Sequence, residues 1–299
     1  MPMERKESAL PTGITFSDTQ KHYHSTQALP LLIIDNEQCQ AVISLYGGQI
    51  LEFTPKGKPA VLWLSPLATF EQGKAIRGGI PICAPWFGAH SCKPYPSHGF
   101  ARTSLWQLDD VSTLDNQNQQ VTLSLTPNTM TRKVFPYEFT MRVHFTLGRE
   151  LTVEFSVENQ SEQTIPCEWA LHSYFNVDDI NKTYVTGLDN QDYVDTVNQL
   201  EATLLGELTF CTEVDRYFTQ TQGEQTINSQ HQLIIAGDNC PSVITWNPGQ
   251  ELASNMADIG EEFYHQFVCV ERGAIKDQQW FIAPGEQKSA RLYITQHLS

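Results

Sequence analysis

The sequence lacks any cluster of positive charge. Its 299 residues include 19 lysines and arginines against 34 aspartates and glutamates, which gives a formal net charge of -15. A chain with this excess of negative charge repels phosphate backbones and anionic lipid headgroups. We therefore expect neither nucleic acid nor a membrane as a partner, and any bound phosphate has to be met by arginines placed next to it.

Long apolar runs and paired cysteines are also missing. No stretch approaches the roughly 20 residues that a helix needs to span a bilayer, and polar sequence follows Met1–Lys6 without the apolar segment of a signal peptide. The seven cysteines are odd in number and include no C-x-x-C pair, which is typical of reduced thiols in a cytosolic protein. We therefore expect a cytoplasmic protein.

The signatures of several enzyme classes are absent. The sequence contains no G-x-S-x-G nucleophile elbow, no Walker loop and no dinucleotide fingerprint after a strand. His22 and His24 have the spacing of a metal-ligand fragment, but no third ligand is recognisable, so a solvated tail is the simpler interpretation. We expect neither a cofactor nor a metal. Glycoside hydrolysis by two carboxylates stays open on composition, although no pair has a supporting motif.

The periodicity that is present has a period of two residues. Apolar residues alternate with polar ones over Phe139–Leu147 and over Leu151–Val157, and the short Gly148–Glu150 connection between them predicts a β-hairpin. No segment keeps helical spacing over four turns, and the best helical candidate is Leu252–Glu261. Further short strands are predicted at Leu31–Ile34, Ala41–Leu45, Gln49–Phe53, Val121–Leu125, Ile165–Leu171, Tyr184–Leu188, Gln232–Ile235, Val243–Trp246, Gln266–Glu271 and Arg291–Thr295.

Many short strands with few helices predict an all-β fold, a large antiparallel β-sandwich. The composition, 40% hydrophobic and 18% charged, is that of an ordinary globular protein. Since β-sandwiches of this length commonly form one domain, we predict a single domain over residues 1–299, with disorder only over about residues 1–8. The glycine- and proline-rich segment Gly73–Pro96 also contains bulky apolar residues, and we predict an ordered loop that lines a cleft.

Seven short motifs follow one another along the chain. They are Arg77–Pro81, Pro85–Gly88, His98–Arg102, Ala170–Val177, Asp215–Arg216, Trp246–Pro248 and Cys269–Gly273. Each is weak alone, but the ordered set resembles the aldose 1-epimerase (mutarotase) superfamily, and within it the glucose-6-phosphate 1-epimerase branch, over roughly Leu29–Thr295. The resemblance implies a galactose mutarotase-like supersandwich and a cofactor-independent isomerase that interconverts the α and β anomers of a hexose 6-phosphate. We further expect a monomer.

His172 and Glu271 are the candidate acid and base. Each lies at the end of an apolar, strand-like stretch, where a side chain can reach into a cleft mouth and move protons on a small substrate. From the residues alone, His172 is better explained as a hydrogen-bonded structural histidine, and Glu271 can be a solvated strand end paired with Arg272. The resemblance implies that Glu271 takes the O1 proton of the sugar while protonated His172 gives one to the ring oxygen, with the roles reversed on ring closure.

Arg77 and Arg102 are the candidate phosphate ligands. Arg77 precedes two glycines that let the backbone approach a ligand, and two guanidinium groups can hold a phosphate through bidentate contacts. The alternative is that both arginines pair with carboxylates such as Asp109 or Asp110. The resemblance implies that both bind substrate, and Lys93 is a further candidate for the same phosphate.

The resemblance also implies substrate contacts from Ser97, His98 and Asp215. Asp215 would accept hydrogen bonds from sugar hydroxyls, and the alternatives are a pair with Arg216 that closes a turn and a structural role for His98. Ser97 stands where the branch commonly has glutamine, so its contact is weaker or passes through water. Trp86 is the aromatic candidate for contact with the pyranose ring, and core packing is its alternative.

Two other functions stay open. A mutarotase for free aldoses would need no phosphate ligands, and a non-catalytic sugar-binding or sensor protein would keep the cleft without turnover. The orientation of Arg77 and Arg102 distinguishes a mutarotase for free aldoses from one for a sugar phosphate. If both point into the cleft, the phosphate hypothesis gains, and if both are tied to structural carboxylates, it fails.

Overall fold

The computed structural model describes residues 10–90 and 95–297, and strands dominate this part of the chain. The strands are β1 Ile14–Asp18, β2 Pro30–Asp35, β3 Cys39–Ser44, β4 Gln49–Pro55, β5 Ile82–Cys83, β6 Gln107–Thr113, β7 Gln119–Leu125, β8 Phe139–Leu147, β9 Leu151–Asn159, β10 Ile165–Cys167, β11 Trp169–Leu171, β12 Tyr174–Asn176, β13 Tyr184–Thr186, β14 Asp192–Asp195, β15 Leu200–Thr203, β16 Leu208–Thr209, β17 Val214–Phe218, β18 Gln225–Asn228, β19 Gln232–Asp238, β20 Ser242–Asn247, β21 Phe267–Ala274, β22 Trp280–Ile282 and β23 Gln287–His297. The helices are α1 Thr19–Tyr23, α2 Thr131–Val134 and α3 Gly249–Ser254, and the 3-10 turns are Ala101–Thr103, Ile180–Lys182, Tyr264–Gln266 and Lys276–Gln278. Lys93 and the predicted disordered segment 1–8 lie outside the described residues.

Two large sheets form the body of the fold. One has nine strands in the order β16-β13-β18-β19-β23-β9-β8-β7-β6, and the other has eight, in the order β15-β14-β17-β20-β21-β11-β5 with β12 paired to β21. A four-stranded sheet, β1-β2-β3-β4, and the pair β10-β22 accompany them. The strand pairs within these sheets are antiparallel. The predicted all-β antiparallel fold is confirmed.

The two large sheets share an apolar core. In the predicted hairpin, now β8 and β9, the alternate apolar residues are buried and pair across the strands, as Phe145 does with Val153. Phe155 of β9 then packs on Trp169 of β11 in the other sheet, with ring centroids 5.3 Å apart. Each such side chain stabilises the fold by about 1.5 to 3 kcal/mol through burial. One cluster of contacting core residues runs from Ile14 to Ile294, and the single domain stays a prediction.

One predicted strand is divided in the structure. Ile165–Leu171 forms β10 and β11, which belong to different sheets. Glu168 lies between them, and its carboxylate accepts the backbone N–H groups of Phe87, at 3.0 Å, and Lys276, at 2.8 Å. Glu168 therefore ties together two loops that reach the same cleft. The helical candidate Leu252–Glu261 is helical only where α3 overlaps its first residues.

The predicted cleft loop, Gly73–Pro96, is packed against the fold in its described part. Ile76, Ile80 and Ile82 are each only 1% exposed, and the loop contains the short strand β5. The described part of the loop is therefore packed against the fold rather than extended into solvent. No helix of residues 10–90 and 95–297 is long and apolar enough to cross a membrane.

Gly99 joins two loops of the cleft, and replacing it tests how tightly they are packed. It forms a bridge with Ala84, has a φ of +72°, and a Cβ placed there would overlap the Ala84 carbonyl oxygen. We expect Gly99→Ala to lower the free energy of unfolding by about 3 kcal/mol or more, because backbone strain and overlap combine. Gly285→Ala is the control, since its φ is +76° and its Cβ would meet open space. It should cost about 1 kcal/mol in denaturant unfolding, and equal losses would contradict the prediction.

Candidate active site

A cleft of about 580 Å3 lies on the face of the eight-stranded sheet that is turned away from the shared core. Seven residues singled out from the sequence line it, namely Arg77, Ser97, His98, Arg102, His172, Asp215 and Glu271. The other lining residues are Phe87, Gly88, Val194, Thr196, Tyr217, Ile244, Trp246, Met256 and Lys276. Larger surface cavities, of about 650 and 780 Å3, contain none of these seven.

The strand register builds the cleft floor. Val194, Tyr217, Ile244 and Glu271 are successive cross-strand neighbours on β14, β17, β20 and β21. Side chains directly opposite one another on antiparallel strands point to the same face. The row therefore continues across four strands and ends at Glu271, beside β11.

His172 and Glu271 are brought together by the pairing of β11 with β21. Leu171 lies opposite Arg272, so the next residue, His172, comes beside Glu271. Nδ1 of His172 lies 3.1 Å from Oε1 of Glu271, and within the described part of the chain Nδ1 and Oε2 are buried without a hydrogen-bond partner. Glu271 is 1% exposed and Arg272 donates to the carbonyl oxygens of Cys240 and Gly223 instead, so the solvated strand end is not observed.

Burial shifts both members of the pair towards their neutral forms. Burial raises the pKa of the Glu271 carboxyl well above its ordinary value, and the negative charge of Asp215 raises it further, while Arg102 opposes the shift. Burial lowers the pKa of His172 well below its ordinary value, and the positive charges of Arg102 and Arg77 act in the same direction. Burial therefore favours a neutral pair over a carboxylate beside an imidazolium.

Arg77 has one carboxylate partner and one tyrosine partner. Its Nε donates to Oδ2 of Asp258 at 3.0 Å, and its Nη1 donates to the hydroxyl of Tyr174 at 2.8 Å. That hydroxyl lies 3.4 Å from Nε2 of His172, and the two rings stack with centroids 4.7 Å apart. The alternative of a structural carboxylate partner thus applies to Arg77, although the partner is Asp258 rather than Asp109 or Asp110.

Arg102 lines the same cleft without such a partner. Its Nη2 donates to the carbonyl oxygen of Ser97 at 3.0 Å, and no carboxylate of the described residues forms an ion pair with it. Lys276 is exposed at the rim and has a φ of +57°, with its backbone N–H held by Glu168. Two cationic groups are therefore available to an anionic ligand.

His98 is a neutral donor at the cleft wall. Its Nδ1 accepts the backbone N–H of Gly88 at 3.3 Å, which leaves the ring hydrogen on Nε2. Burial, aided by the positive charges of Arg102, Arg77 and Lys276, lowers the pKa of His98 to about 3. The residue therefore stays uncharged at neutral pH.

Asp215 faces the cleft, whereas Arg216 faces the other side of β17. Burial raises the pKa of Asp215, and the charge of Asp195 adds to the shift. Arg216 donates to Asp195 at 3.0 Å, and its guanidinium lies 4.7 Å from the ring centroid of Tyr193. The alternative pair of Asp215 with Arg216 is therefore not formed.

The aromatic residue chosen from the sequence lies outside the cleft lining. Trp86 donates its indole N–H to the Pro96 carbonyl oxygen at 3.0 Å and packs edge-on against His90. Phe87, its neighbour in the same motif, lines the cleft together with Trp246. Sequence alternation cannot separate neighbours in an irregular loop, but the Trp246–Pro248 motif carried a signal for Trp246.

One group of potential metal ligands occurs in the described part of the chain. The ligand atoms of His172, Cys269 and Glu271 lie within 4.8 Å of one another. Burial, with the charge of Glu271, raises the pKa of the Cys269 thiol well above its ordinary value. Since only the thiolate binds metals well, this arrangement disfavours a resident metal.

Comparisons by family profile, by sequence and by structure all lead to the same family. The Aldose 1-epimerase family profile matches residues 30–295. A relative from Escherichia coli (strain K12), named "Putative glucose-6-phosphate 1-epimerase", is 36% identical over 256 residues, 84% of this chain and 85% of that one. The crystal structure of "a putative mutarotase (YeaD)" from Salmonella typhimurium has a TM-score of 0.85 and 32% identity over 91% of each chain. A galactose mutarotase-like protein from Lactobacillus casei ATCC 334, 19% identical over 89% of this chain and 100% of that one, shares the fold with a TM-score of 0.69. The predicted mutarotase-like fold is confirmed.

The lowered pKa of His98 predicts a pH dependence of stability. Between its ordinary pKa of 6.5 and its folded value of about 3, the unfolded chain binds a proton that the folded chain does not, so stability falls as the pH drops through this window. His98 has a φ of +62°, a region that asparagine tolerates, and in His98→Asn this contribution is missing. We expect its free energy of unfolding to fall less between pH 7 and pH 5.5, by on the order of 1 kcal/mol. Denaturant unfolding at both pH values measures this, and identical pH dependences would refute it.

Proposed function

Since the chain belongs to the aldose 1-epimerase family, whose members are isomerases, we propose that it interconverts the α and β anomers of glucose 6-phosphate. The observation that carries the proposal is the pair His172 and Glu271, 3.1 Å apart at the floor of a cleft that also exposes Arg102. A buried acid-base pair suits proton exchange on two neighbouring oxygens. A guanidinium without a carboxylate partner suits a phosphate. The printed name of the Escherichia coli relative supports this choice of sugar.

The proposed reaction needs two proton transfers and one bond exchange. The Glu271 carboxylate takes the O1 proton, the C1 to O5 bond breaks as C1 and O1 form a carbonyl, and the His172 imidazolium gives its proton to O5. Rotation about the C1 to C2 bond presents the other face, and the same transfers then run in reverse. The groups end the opening step as a neutral carboxylic acid and a neutral imidazole.

The pKa shifts favour this opening step. A raised pKa makes the Glu271 carboxylate a stronger base, and a lowered pKa makes the His172 imidazolium a stronger acid. Both transfers lead to the neutral pair that burial favours. Desolvation therefore makes both groups more reactive in their charged forms, and it also makes the charged pair the minor form of the free protein.

The remaining lining residues suit the other parts of the sugar phosphate. We place the phosphate on Arg102 and Lys276, with the Ser97 carbonyl oxygen orienting the guanidinium. Asp215 accepts hydrogen bonds from sugar hydroxyls, and the Nε2–H of His98 donates one. Trp246 and Phe87 offer apolar ring faces to the C–H groups of the pyranose, a role that Trp86 does not fill.

A mutarotase for free aldoses is the second candidate. The observation that favours it is the contact of Arg77 with Asp258, which occupies one of the two arginines assigned to the phosphate. Arg102 has no such contact among the described residues and supports the phosphorylated substrate. Kinetics on both sugars separate the two candidates.

Removing the acid or the base tests the mechanism. We expect His172→Asn and Glu271→Gln each to lower the catalysed rate by about 10²-fold or more, because each oxygen loses its proton partner. Polarimetry on freshly dissolved α-glucose 6-phosphate, corrected for spontaneous mutarotation, measures the rate. Glu207→Gln, a change at an exposed carboxylate outside the cleft, is the matched control. If His172→Asn or Glu271→Gln folds and keeps the rate of the unsubstituted protein, the residue concerned does not have this role.

Removing the Arg102 guanidinium tests the phosphate assignment. Arg102→Ala should lower kcat/KM on glucose 6-phosphate by roughly 30-fold or more, about 2 kcal/mol, and change the value on glucose much less. Arg149→Ala, at an exposed arginine outside the cleft, is the control. Equal losses on the two sugars would mean that Arg102 supports the loop rather than the phosphate.

A further inference from the structure

The Glu168 carboxylate holds the backbone of two residues that line the cleft. Its Oε1 accepts the N–H of Lys276 at 2.8 Å, and its Oε2 accepts the N–H of Phe87 at 3.0 Å. Lys276 and Phe87 are distant in sequence and lie on different loops, and Glu168 itself is not among the lining residues. Hydrogen bonds to an ionised carboxylate are stronger than those between neutral groups. One side chain behind the cleft therefore fixes two parts of its wall.

Lys276 has a backbone conformation that lysine rarely adopts. Its φ is +57°, in the left-handed region, which is uncommon for residues other than glycine, asparagine and aspartate. The preceding residue, Ile275, is buried and donates its N–H to Oγ of Ser242 at 3.2 Å. The next N–H, that of Lys276, goes to Glu168. Strained conformations persist where the surroundings impose them, and they cluster at functional sites.

The turn at the end of β21 brings the Lys276 side chain to the cleft. Lys276 lines the cleft together with His98. Burial is the main cause of the lowered pKa of His98, and the positive charge of Lys276 adds to that of two arginines in lowering it. Lys276 is exposed and forms no ion pair within residues 10–90 and 95–297. Its ammonium is therefore available to a negatively charged group of a ligand.

We propose that Glu168 is a positioning residue that places the Lys276 ammonium at the cleft, and that Lys276 makes the cleft prefer a sugar phosphate over the free sugar. Glu168 contacts no part of the substrate and acts through the backbone of Lys276. This inference rests on the proposed function, since both take a sugar phosphate as the ligand. It adds a determinant of specificity that is separate from the acid-base pair.

The sign of the effect separates positioning from simple electrostatics. The Glu168 carboxylate is negative and by itself repels a phosphate in the cleft. If only its charge mattered, removing it would strengthen the binding of the phosphorylated sugar. If it positions Lys276, removing it weakens that binding, because the ammonium is no longer held at the cleft.

The contact with Phe87 gives Glu168 a second effect, which is common to both sugars. Phe87 packs edge-on against His98, with ring centroids 4.7 Å apart, and Gly88 donates its backbone N–H to Nδ1 of His98 at 3.3 Å. In the proposed function Phe87 and His98 contact the sugar rather than its phosphate, so displacing them changes the affinity for either sugar. The ratio of the two dissociation constants therefore isolates the contribution of Lys276.

NMR titrations with glucose 6-phosphate and with glucose measure both dissociation constants and do not depend on turnover. Lys276→Asn removes the ammonium and keeps a residue that tolerates a positive φ. We expect it to raise the dissociation constant of glucose 6-phosphate by about 5-fold or more and to leave that of glucose unchanged. Glu168→Ala should raise the ratio of the glucose 6-phosphate constant to the glucose constant by about 3-fold or more. Glu162→Ala, which removes the same charge at an exposed residue outside the cleft lining, should leave the ratio unchanged.

The double variant tests whether Glu168 acts through Lys276. When Lys276→Asn is already present, Glu168→Ala should not change the ratio further, because the ammonium that it positions is gone. A full additional loss in the double variant or a lowered or unchanged ratio in Glu168→Ala would overturn the inference. An unchanged ratio in Lys276→Asn overturns it even if Glu168→Ala does not fold, and so does an unsubstituted protein that binds neither sugar. If the unsubstituted protein binds both sugars and accelerates neither, the proposed function fails, and the ratios still decide the inference.

Discussion

The antiparallel pairing of β11 with β21 is the constraint on which the candidate site depends. Because Leu171 pairs with Arg272, the next residue, His172, lies beside Glu271. A slip of one residue would turn Glu271 towards the shared core and bring Arg272 to the cleft. Every residue of β21 is buried, so both faces of the strand specify its register. The proposed proton chemistry of the site depends on a pairing that the whole eight-stranded sheet maintains.

Burial of the pair costs stability and increases reactivity at the same time. Over residues 10–90 and 95–297, Nδ1 of His172 and Oε2 of Glu271 have no hydrogen-bond partner, and such buried atoms are costly. The same desolvation raises the pKa of one group and lowers that of the other, which strengthens both as partners in proton transfer. Violations of packing rules of this kind are expected where a protein does chemistry.

Local patterns in the sequence predicted the elements that local physics decides. The alternation of Phe139–Leu147 with its partner strand gave the hairpin correctly, because one face of each strand is buried and the turn between them is short. The division of the strand Ile165–Leu171 was not predictable, since Glu168 ends the pairing through contacts with loops distant in sequence. The predicted aromatic contact, Trp86, lies outside the cleft lining for a similar reason, because the path of an irregular loop is decided by tertiary packing. Lys276 carried no motif at all and reaches the cleft through the fold alone.

The exchange of anomers on the unsubstituted protein tests the central claim most directly. Two-dimensional exchange NMR on glucose 6-phosphate labelled with 13C at C1 follows the conversion of the α into the β anomer at equilibrium, with glucose measured beside it. We predict exchange cross-peaks whose intensity grows with protein concentration, and a larger catalysed rate for the phosphorylated sugar. A rate for both sugars equal to the spontaneous one would contradict the account.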